Sequence, residues 1–234
     1  MVTKKIIEKT INHIIVKNNL ETVKCSKSTL DKADKEFIEQ FEKDKDTFPN
    51  SRDERHELWF KHCKVQAKHK YPQFQKHAIS YWGHSGYHKI NGKIYDTREY
   101  NEEFEDGLIN ESQIDDYIKN LQAAIDDGPK APHDTVTVRT GHWESGHKPG
   151  EVIVQDGFAS TSYTDRIDAS ETSSEYSYDI TYYIRTGTKC VALDSDYFDC
   201  LPEEELLLGR GTRQYILEQD DDNQTVSVLI LPDR

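Results

Sequence analysis

Three short motifs in the second half of the chain carry side chains that could do chemistry. Arg139 lies in Val-Arg-Thr-Gly (138–141), at the end of a run rich in β-branched residues. Ser160 opens Ser-Thr-Ser (160–162), which follows Gly-Phe-Ala. Glu203 and Glu205 belong to Glu-Glu-Glu-Leu-Leu-Leu (203–208), where carboxylates precede an apolar run. Each motif is therefore predicted to stand at the start or end of a strand.

The residue types in these motifs suit phosphate binding and the stabilisation of positive charge. A planar guanidinium binds phosphate oxygens through two parallel hydrogen bonds, so Arg139 could hold a phosphorylated ligand. Residues two apart in a strand share one face, so Glu203 and Glu205 point the same way while Glu204 points away. Taken singly, each motif is commonest as a solvated surface feature. The interpretation therefore depends on the order and spacing of the three together.

In this order, the three motifs resemble the arginine–serine–glutamate class of mono-ADP-ribosyltransferases, over roughly residues 81–232. That class has an arginine at the end of its first core strand, a Ser-Thr-Ser strand, and Glu-x-Glu before an apolar strand. The segment Gly-Arg-Gly-Thr (209–212) resembles the family's Pro-Arg-Gly-Ser/Thr turn, with Gly209 where proline is common. Residues 81–91 and 179–193 resemble the segments that precede the arginine and separate the serine from the glutamates.

The resemblance implies that NAD is the co-substrate and gives each motif a role. Arg139 would clamp the NAD pyrophosphate. The backbone at Thr140 and Gly141 would reach the nicotinamide amide, where glycine permits a close approach. Glu205 would be the catalytic carboxylate that stabilises positive charge on the ribose as the bond to nicotinamide breaks. Ser160 would orient Glu205.

The first glutamate of Glu-x-Glu implies an arginine acceptor. In this family Glu-x-Glu goes with arginine acceptors and Gln-x-Glu with other side chains. Because arginine is protonated at neutral pH it is a poor nucleophile, and Glu203 would bind its guanidinium and assist proton removal. Residues 194–202 should present the acceptor, with Tyr197 and Phe198 either an exposed recognition pair or packing beneath the loop. We therefore expect transfer of ADP-ribose to an accessible arginine of a target protein.

Residues beside the Ser-Thr-Ser motif supply further candidate contacts with NAD. Thr161 and Ser162 lie within the motif itself. Residues 163–178 should cover the nicotinamide and the phosphates, and Tyr163 and Arg166 are the nearby aromatic and arginine. The alternatives are that Tyr163 is an ordinary strand residue and Arg166 a surface charge.

Helices in the first half and strands in the second are predicted to position these motifs. Apolar residues recur at helical spacing over 4–15, 30–41 (capped by Ser28 or Thr29) and 110–125. Further helices are predicted over 54–70, which is rich in His and Lys, and over 73–87. Asn91-Gly92 predicts a turn and residues 96–106 a loop. Strands are predicted at 135–140, 152–154, 179–185, 190–193, 206–208, 213–218 and 225–231. This order indicates an α+β fold, and the lack of a Gly-x-Gly-x-x-Gly pattern separates any NAD site from the Rossmann kind.

The resemblance makes the architecture more specific. It implies that residues 71–234 form the catalytic domain, a two-sheet, β-sandwich-like ADP-ribosyltransferase core on which the helical N-terminal half packs. Residues 1–70 carry no motif that we recognise. We predict that they form a helical N-terminal extension, which either adds packing or selects the target.

Composition limits the partners and the compartment. A formal net charge of −13 favours basic partners and argues against a general attraction for nucleic acid or anionic membranes. No run approaches the roughly eighteen apolar residues of a membrane span. The four cysteines lack a Cys-x-x-Cys pair and are expected to be free thiols in a reducing compartment. No histidines form a metal-ligand motif such as His-Glu-x-x-His, so no metal is expected.

Several alternatives stay open at this point. The chain could be an NAD glycohydrolase, a transferase fold kept only for binding, or a transferase acting on nucleic acid. The intact Arg139, Ser160, Glu203 and Glu205 argue against the second, and the net charge argues against the third. The size and the lack of a recognisable export signal fit a bacteriophage-type transferase acting in the host cytoplasm, and equally the catalytic part of a bacterial effector or toxin. We expect a cytoplasmic monomer.

Overall fold

The computed structural model describes residues 25–49, 51–108, 110–163, 177–198 and 204–233. The helix predicted over residues 4–15 and two predicted site residues, Arg166 and Glu203, lie outside these ranges. Within them, most helices precede residue 128 and most strands follow it. The predicted α+β class is therefore confirmed.

Six helices of the described residues precede the main run of strands. They are α1 Lys32–Asp44, α2 Arg52–Gln66, α3 Gln73–Tyr81, α4 Tyr87–Tyr95, α5 Arg98–Glu105 and α6 Glu111–Asp127; a 3₁₀ turn spans Lys45–Thr47, a π-helical turn spans Trp82–Gly86, and the short α7 is Ser195–Phe198. Side-chain caps fix several starts: Asp31 and Ser51 each form a capping box, and Asn110 accepts from the third residue of its helix. The second predicted helix therefore begins after Asp31, and not at Ser28 or Thr29.

Two stretches that were predicted to be non-helical are helical. Asn91 and Gly92, predicted as a turn, lie buried within α4. The Asn91 side chain donates to Phe158 O at 3.0 Å and accepts from Phe158 N at 3.1 Å, and an added Cβ at Gly92 would lie 3.1 Å from a side chain of α5. Residues 96–106, predicted as a loop, contain α5, which Thr97 caps. Contacts between distant elements here outweigh local turn preference.

Nine strands of the described chain form one hydrogen-bonded set. They are β1 Cys25–Ser28, β2 Thr135–His142, β3 Val152–Gln155, β4 Ala159–Ser162, β5 Ser177–Ile184, β6 Cys190–Leu193, β7 Glu205–Leu208, β8 Arg213–Asp220 and β9 Thr225–Ile230. Their order is β1-β3-β8-β9-β5-β2-β4-β7-β6, and only β5 and β9 pair in parallel. Strand β1, which the sequence did not predict, extends the edge by pairing with β3.

The sheet is bent so that one of its faces packs mainly on itself. A single buried cluster takes Ile216 and Val228 from β8 and β9, and Cys190 and Leu206 from β6 and β7 near the other end of the strand order. Among the described helices only α2 joins this cluster, partly through Cys63. Cys63 and Cys190 are free thiols, as predicted for these two. The expected two-sheet sandwich is therefore one continuous sheet, and its two halves face each other.

Helices cover the outer faces of this bent sheet. Helices α3, α4 and α6 pack with Val191 and Leu207 of β6 and β7, and α1 packs on β3 and β9 at the other end. There, Asp34 of α1 accepts two hydrogen bonds from the buried Arg213 of β8, at 2.8 and 2.6 Å. Part of the segment before residue 71 thus packs directly on the strands. The domain boundary at residue 70 stays a prediction.

Candidate active site

Strands β2, β4 and β7 lie next to one another and carry the three motifs. Strand β2 pairs with β4 at Val138↔Ser162, and β4 pairs with β7 along its whole length, ending at Ser162↔Glu205. Ser162 therefore lies opposite both neighbouring strands in the same rung of the ladder. Arg139, Ser160 and Glu205 are all within two residues of this rung. The fold thus brings together motifs that are far apart in the sequence.

The hydroxyls of Ser160 and Thr161 on β4 differ in their surroundings. Thr161 is 2% exposed, and its hydroxyl donates across to Leu206 O at 3.2 Å. Ser160 Oγ is shielded from solvent and has no hydrogen-bond partner among the described residues. Buried hydroxyls are usually bonded, so Ser160 Oγ is available to a ligand or to a neighbouring carboxylate.

Arg139 reaches from β2 towards β4. Its Nη1 donates to Ser160 O across a long 3.4 Å, and the residue is partly exposed. This is the one hydrogen bond of the guanidinium within the described chain, so most of its five N–H donors are left for a ligand. An added Cβ at Gly141 would lie 2.9 Å from Arg139 Nε. Gly141 was expected to admit NAD, and here it makes room for the side chain of Arg139.

Two other residues predicted to contact NAD have side chains that are bonded within the fold. The Thr140 hydroxyl donates to Asp179 Oδ1 at 2.9 Å. Tyr163 is 1% exposed, its hydroxyl shares a 3.0 Å hydrogen bond with His62 Nδ1, and burial raises the pKa of Tyr163 well above its usual range. The Tyr163 ring thus lies in the core, and the residue directly follows β4 instead of being the strand residue of the alternative interpretation.

Glu205 is the first residue of β7 and is half-buried. Its backbone pairs with Ser162 on one side and with β6 on the other, so it is held between two strands. Oε1 of the preceding Glu204 lies 2.8 Å from His56 Nδ1 of α2. Because Glu203 is outside the described residues, its position relative to Glu205 stays a prediction.

Helix α2, which carries none of the three sequence motifs, lies against the same strands. Arg55 Nε donates to Tyr163 O at 2.8 Å, and His56 contacts Glu204. A sequence signal was present: Arg55, His62 and Gln66 recur at the spacing of one helix face. A polar face of this kind indicates attachment through hydrogen bonds in addition to the apolar packing of Leu58, Trp59 and Cys63.

The pair predicted to face the acceptor is tied to the helical layer. Phe198 is 3% exposed and packs edge-on against Tyr71, with ring centroids 5.4 Å apart. The Tyr197 hydroxyl donates to His69 O at 2.6 Å, and this residue is partly exposed. The packing alternative therefore describes Phe198, whereas Tyr197 keeps part of its surface in solvent.

A cavity of about 330 Å³ lies at the opposite end of β7, lined in part by Gln122, Lys189 and Arg210. It is formed by the Gly-Arg-Gly-Thr turn (209–212), away from Ser160 and Glu205. Across the described ranges, no group of three or more His, Cys, Asp or Glu side chains is placed to hold a metal ion. No helix in the same ranges is both long and apolar enough to cross a membrane. The candidate site is thus defined by the three strands and not by this cavity.

No protein-family model matches the sequence, and no curated protein matches it. The structure nevertheless resembles solved bacterial ADP-ribosyltransferases. C3stau2 from S. aureus, solved with NAD, has a TM-score of 0.57 at 14% identity, covering 80% of this chain and 98% of its own. The ADP-ribosyltransferase Vis, in complex with agmatine, has a TM-score of 0.57 at 16% identity, with 81% and 90% covered.

A third similar structure is the ADP-ribosylating toxin BECa of C. perfringens with NADH. Its TM-score is 0.58 at 14% identity, and 78% of this chain is covered. This chain spans about half of BECa, 49% of its length. Together these similarities show that the chain has the ADP-ribosyltransferase fold.

Proposed function

We propose that this protein is an ADP-ribosyltransferase that uses NAD as its co-substrate. The observation that carries the proposal is that Arg139, Ser160 and Glu205 lie on three adjacent strands, each within two residues of one shared rung. A fold alone does not specify an activity, so the argument depends on these side chains. They offer a guanidinium with donors to spare, a buried hydroxyl without a partner in the described chain, and a half-buried carboxylate.

Each of these side chains would supply one part of the chemistry. When bound, NAD provides the ADP-ribosyl group, with nicotinamide as the leaving group. Arg139 would bind the pyrophosphate through the N–H donors that do not bond Ser160 O. Glu205 would stabilise positive charge developing on the ribose, because a half-buried carboxylate is screened less than one in water. The Ser160 hydroxyl would donate to Glu205 and fix its orientation.

We propose arginine of a target protein as the acceptor. Glu203 stands two residues before Glu205 and would share its face if the extended conformation of β7 continues towards it. A carboxylate in that place would bind a guanidinium and assist removal of its proton. The solved complex of Vis with agmatine, which is a guanidine, supports this choice. The reaction would take place in the cytoplasm of the cell in which the target is found.

The other proposed contacts with NAD are of different kinds. Thr140, Thr161 and Tyr163 would act through backbone atoms, since their side chains are bonded within the fold. Ser162 is opposite the proposed catalytic carboxylate in the ladder and is the best placed of the group. Arg166, outside the described residues, stays a proposed partner of the phosphates.

Nicotinamide release and mass spectrometry test this function together. The protein is incubated with labelled NAD alone, with agmatine, and with a cell lysate, and modified residues are then identified. We expect label on agmatine and on arginines of lysate proteins, and a loss of about a hundredfold or more in turnover for Glu205→Gln. Nicotinamide release without transfer would identify an NAD glycohydrolase, and label on nucleic acid would replace the arginine acceptor. No consumption of NAD in any arm would refute the proposal.

A further inference from the structure

Helix α2 packs against the candidate site through polar side chains. His62 and Gln66 are each 1% exposed. The Gln66 amide donates to Ala192 O and accepts from Ala192 N, so it bonds both backbone groups of one residue in β6. Apolar packing is non-directional, whereas hydrogen bonds fix distance and angle. Helix α2 therefore has a defined position relative to the strands that carry the site.

Helix α2 contacts two residues that lie one step beyond the Ser162–Glu205 pair, Tyr163 and Glu204. Tyr163 directly follows β4 and Glu204 directly precedes β7, and Tyr163 N donates to Glu204 O at 2.9 Å. This bond extends the ladder by one step beyond the pair that contains Glu205. Arg55 binds the carbonyl of Tyr163 at 2.8 Å, and His56 binds the carboxylate of Glu204 at 2.8 Å. Consecutive residues of one helix thus hold both strands at the end of the ladder.

We propose that Arg55 and His56 are positioning residues for Glu205. The end of a ladder opens more easily than its middle, and Glu205 stands at such an end. With the two contacts in place, the backbone of Glu205 is fixed relative to Ser160 on β4. Displacing a catalytic group by about 1 Å can cost about a hundredfold in rate. Both would act through Tyr163 or Glu204 and not by contact with the ribose; the inference rests on the proposed function.

This inference also gives a role to the middle residue of Glu-x-Glu. Glu204 was expected to point away from the site, and its carboxylate contacts α2. The three glutamates would then have different partners: Glu203 would bind the acceptor, Glu204 helix α2, and Glu205 the ribose. The role of Glu204 would be to connect β7 to α2 without entering the reaction.

A double-mutant cycle in kcat tests the inference on the full chain. His56→Ala, Glu204→Ala and the double variant are compared for nicotinamide release, together with Arg55→Ala and Arg55→Lys. We expect each alanine variant to lower kcat about tenfold or more while KM for NAD stays within about twofold. The double variant should lose no more than either single variant, because the two residues act as a unit. Arg55→Lys, which keeps a donor, should recover part of the loss.

Lys61→Ala is the matched control, because Lys61 is a charged residue of the same helix whose one ion pair in the described chain is with the exposed Glu57, at 2.7 Å. It should leave kcat and KM unchanged. Hydrogen exchange at the Tyr163 amide gives a readout that does not depend on turnover, and it should quicken in Arg55→Ala.

The outcomes separate this inference from the proposed function. An active protein whose alanine variants keep kcat within about twofold, or whose His56 and Glu204 losses multiply in the double variant, overturns the inference and leaves the function standing. A native protein that releases no nicotinamide refutes the function and this role with it. If Arg55→Ala does not fold, Arg55→Lys and the His56–Glu204 cycle decide.

Discussion

Replacing Ser160 by alanine should lower the activity without lowering the stability of the fold. Ser160 Oγ is buried and has no partner in the described chain. In the ligand-free protein this buried, unbonded hydroxyl therefore destabilises the folded state by about 1–3 kcal/mol, the free energy of its desolvation. Alanine removes that cost and leaves a cavity smaller than a methyl group, worth at most about 1 kcal/mol. The difference predicts a variant as stable as the native protein, or more stable by up to about 3 kcal/mol.

The same change should lower turnover, because Glu205 would lose the donor that orients it. We expect kcat for nicotinamide release to fall about ten- to a hundredfold with little change in KM for NAD. Urea unfolding followed by Trp fluorescence gives the stability, and nicotinamide release gives the rate. Both are measured on the same preparation, so an inactive but misfolded sample is recognised.

Thr135→Val is the matched control for this experiment. Thr135 is 1% exposed, lies on β2, and has a hydroxyl without a partner in the described ranges. Valine keeps its shape and suits a strand, so stability should rise by a similar amount while turnover stays unchanged. The reasoning about Ser160 is wrong if Ser160→Ala loses about 1 kcal/mol or more, as a bonded hydroxyl would, or if it turns over NAD at the native rate.

Three further changes test the remaining parts of the site and the packing of α2. Arg139→Lys should weaken NAD binding although the charge is kept, because an ammonium cannot form two coplanar hydrogen bonds; titration calorimetry that finds an unchanged Kd would make Arg139 an ordinary surface arginine. Glu203→Gln should lose transfer to agmatine but keep much of the NAD hydrolysis, because water needs less activation than a protonated guanidinium. Transfer to agmatine at the native rate would contradict the acceptor assignment. Burial, with a smaller effect of His133, lowers the pKa of His62 from 6.5 to about 4. The unfolded chain then takes up this proton at higher pH than the folded one, so stability present above pH 6.5 falls as the pH drops towards 4, by about 3 kcal/mol in total. Urea midpoints between pH 7.5 and 4 should fall less steeply in His62→Gln, and parallel curves would show that His62 titrates normally.

Residue type and spacing predicted most strands and the motifs on them, because those features are local. A β-branched run places Arg139 in a strand whatever its neighbours are. Strand β1 has no such pattern, and it exists because the edge of β3 offers unpaired backbone groups. Asn91 and Gly92 prefer a turn in isolation, yet the Asn91 amide satisfies both backbone groups of Phe158 within a helix. These outcomes depend on partners that are distant in the sequence.

The contacts of α2 with the site were out of reach for the same reason. The sequence shows that Arg55, His62 and Gln66 share a helix face, but not what that face meets. Gln66 bonds a residue 126 positions away, and His62 one 101 positions away. Helices whose polar face meets only solvent show the same spacing of polar residues. The sequence of α2 therefore cannot reveal its partners.

The buried pair between Asp34 and Arg213 limits the order in which the chain can fold during synthesis. The two residues are 179 positions apart. A carboxylate buried without its partner costs several kcal/mol, so Asp34 stays in water until β8 is formed. Helix α1, although it leaves the ribosome early, is therefore expected to dock among the last elements. In refolding experiments with pulsed hydrogen exchange, the amides of α1 should gain protection later than those of β5 and β9, and early protection of α1 would contradict this order.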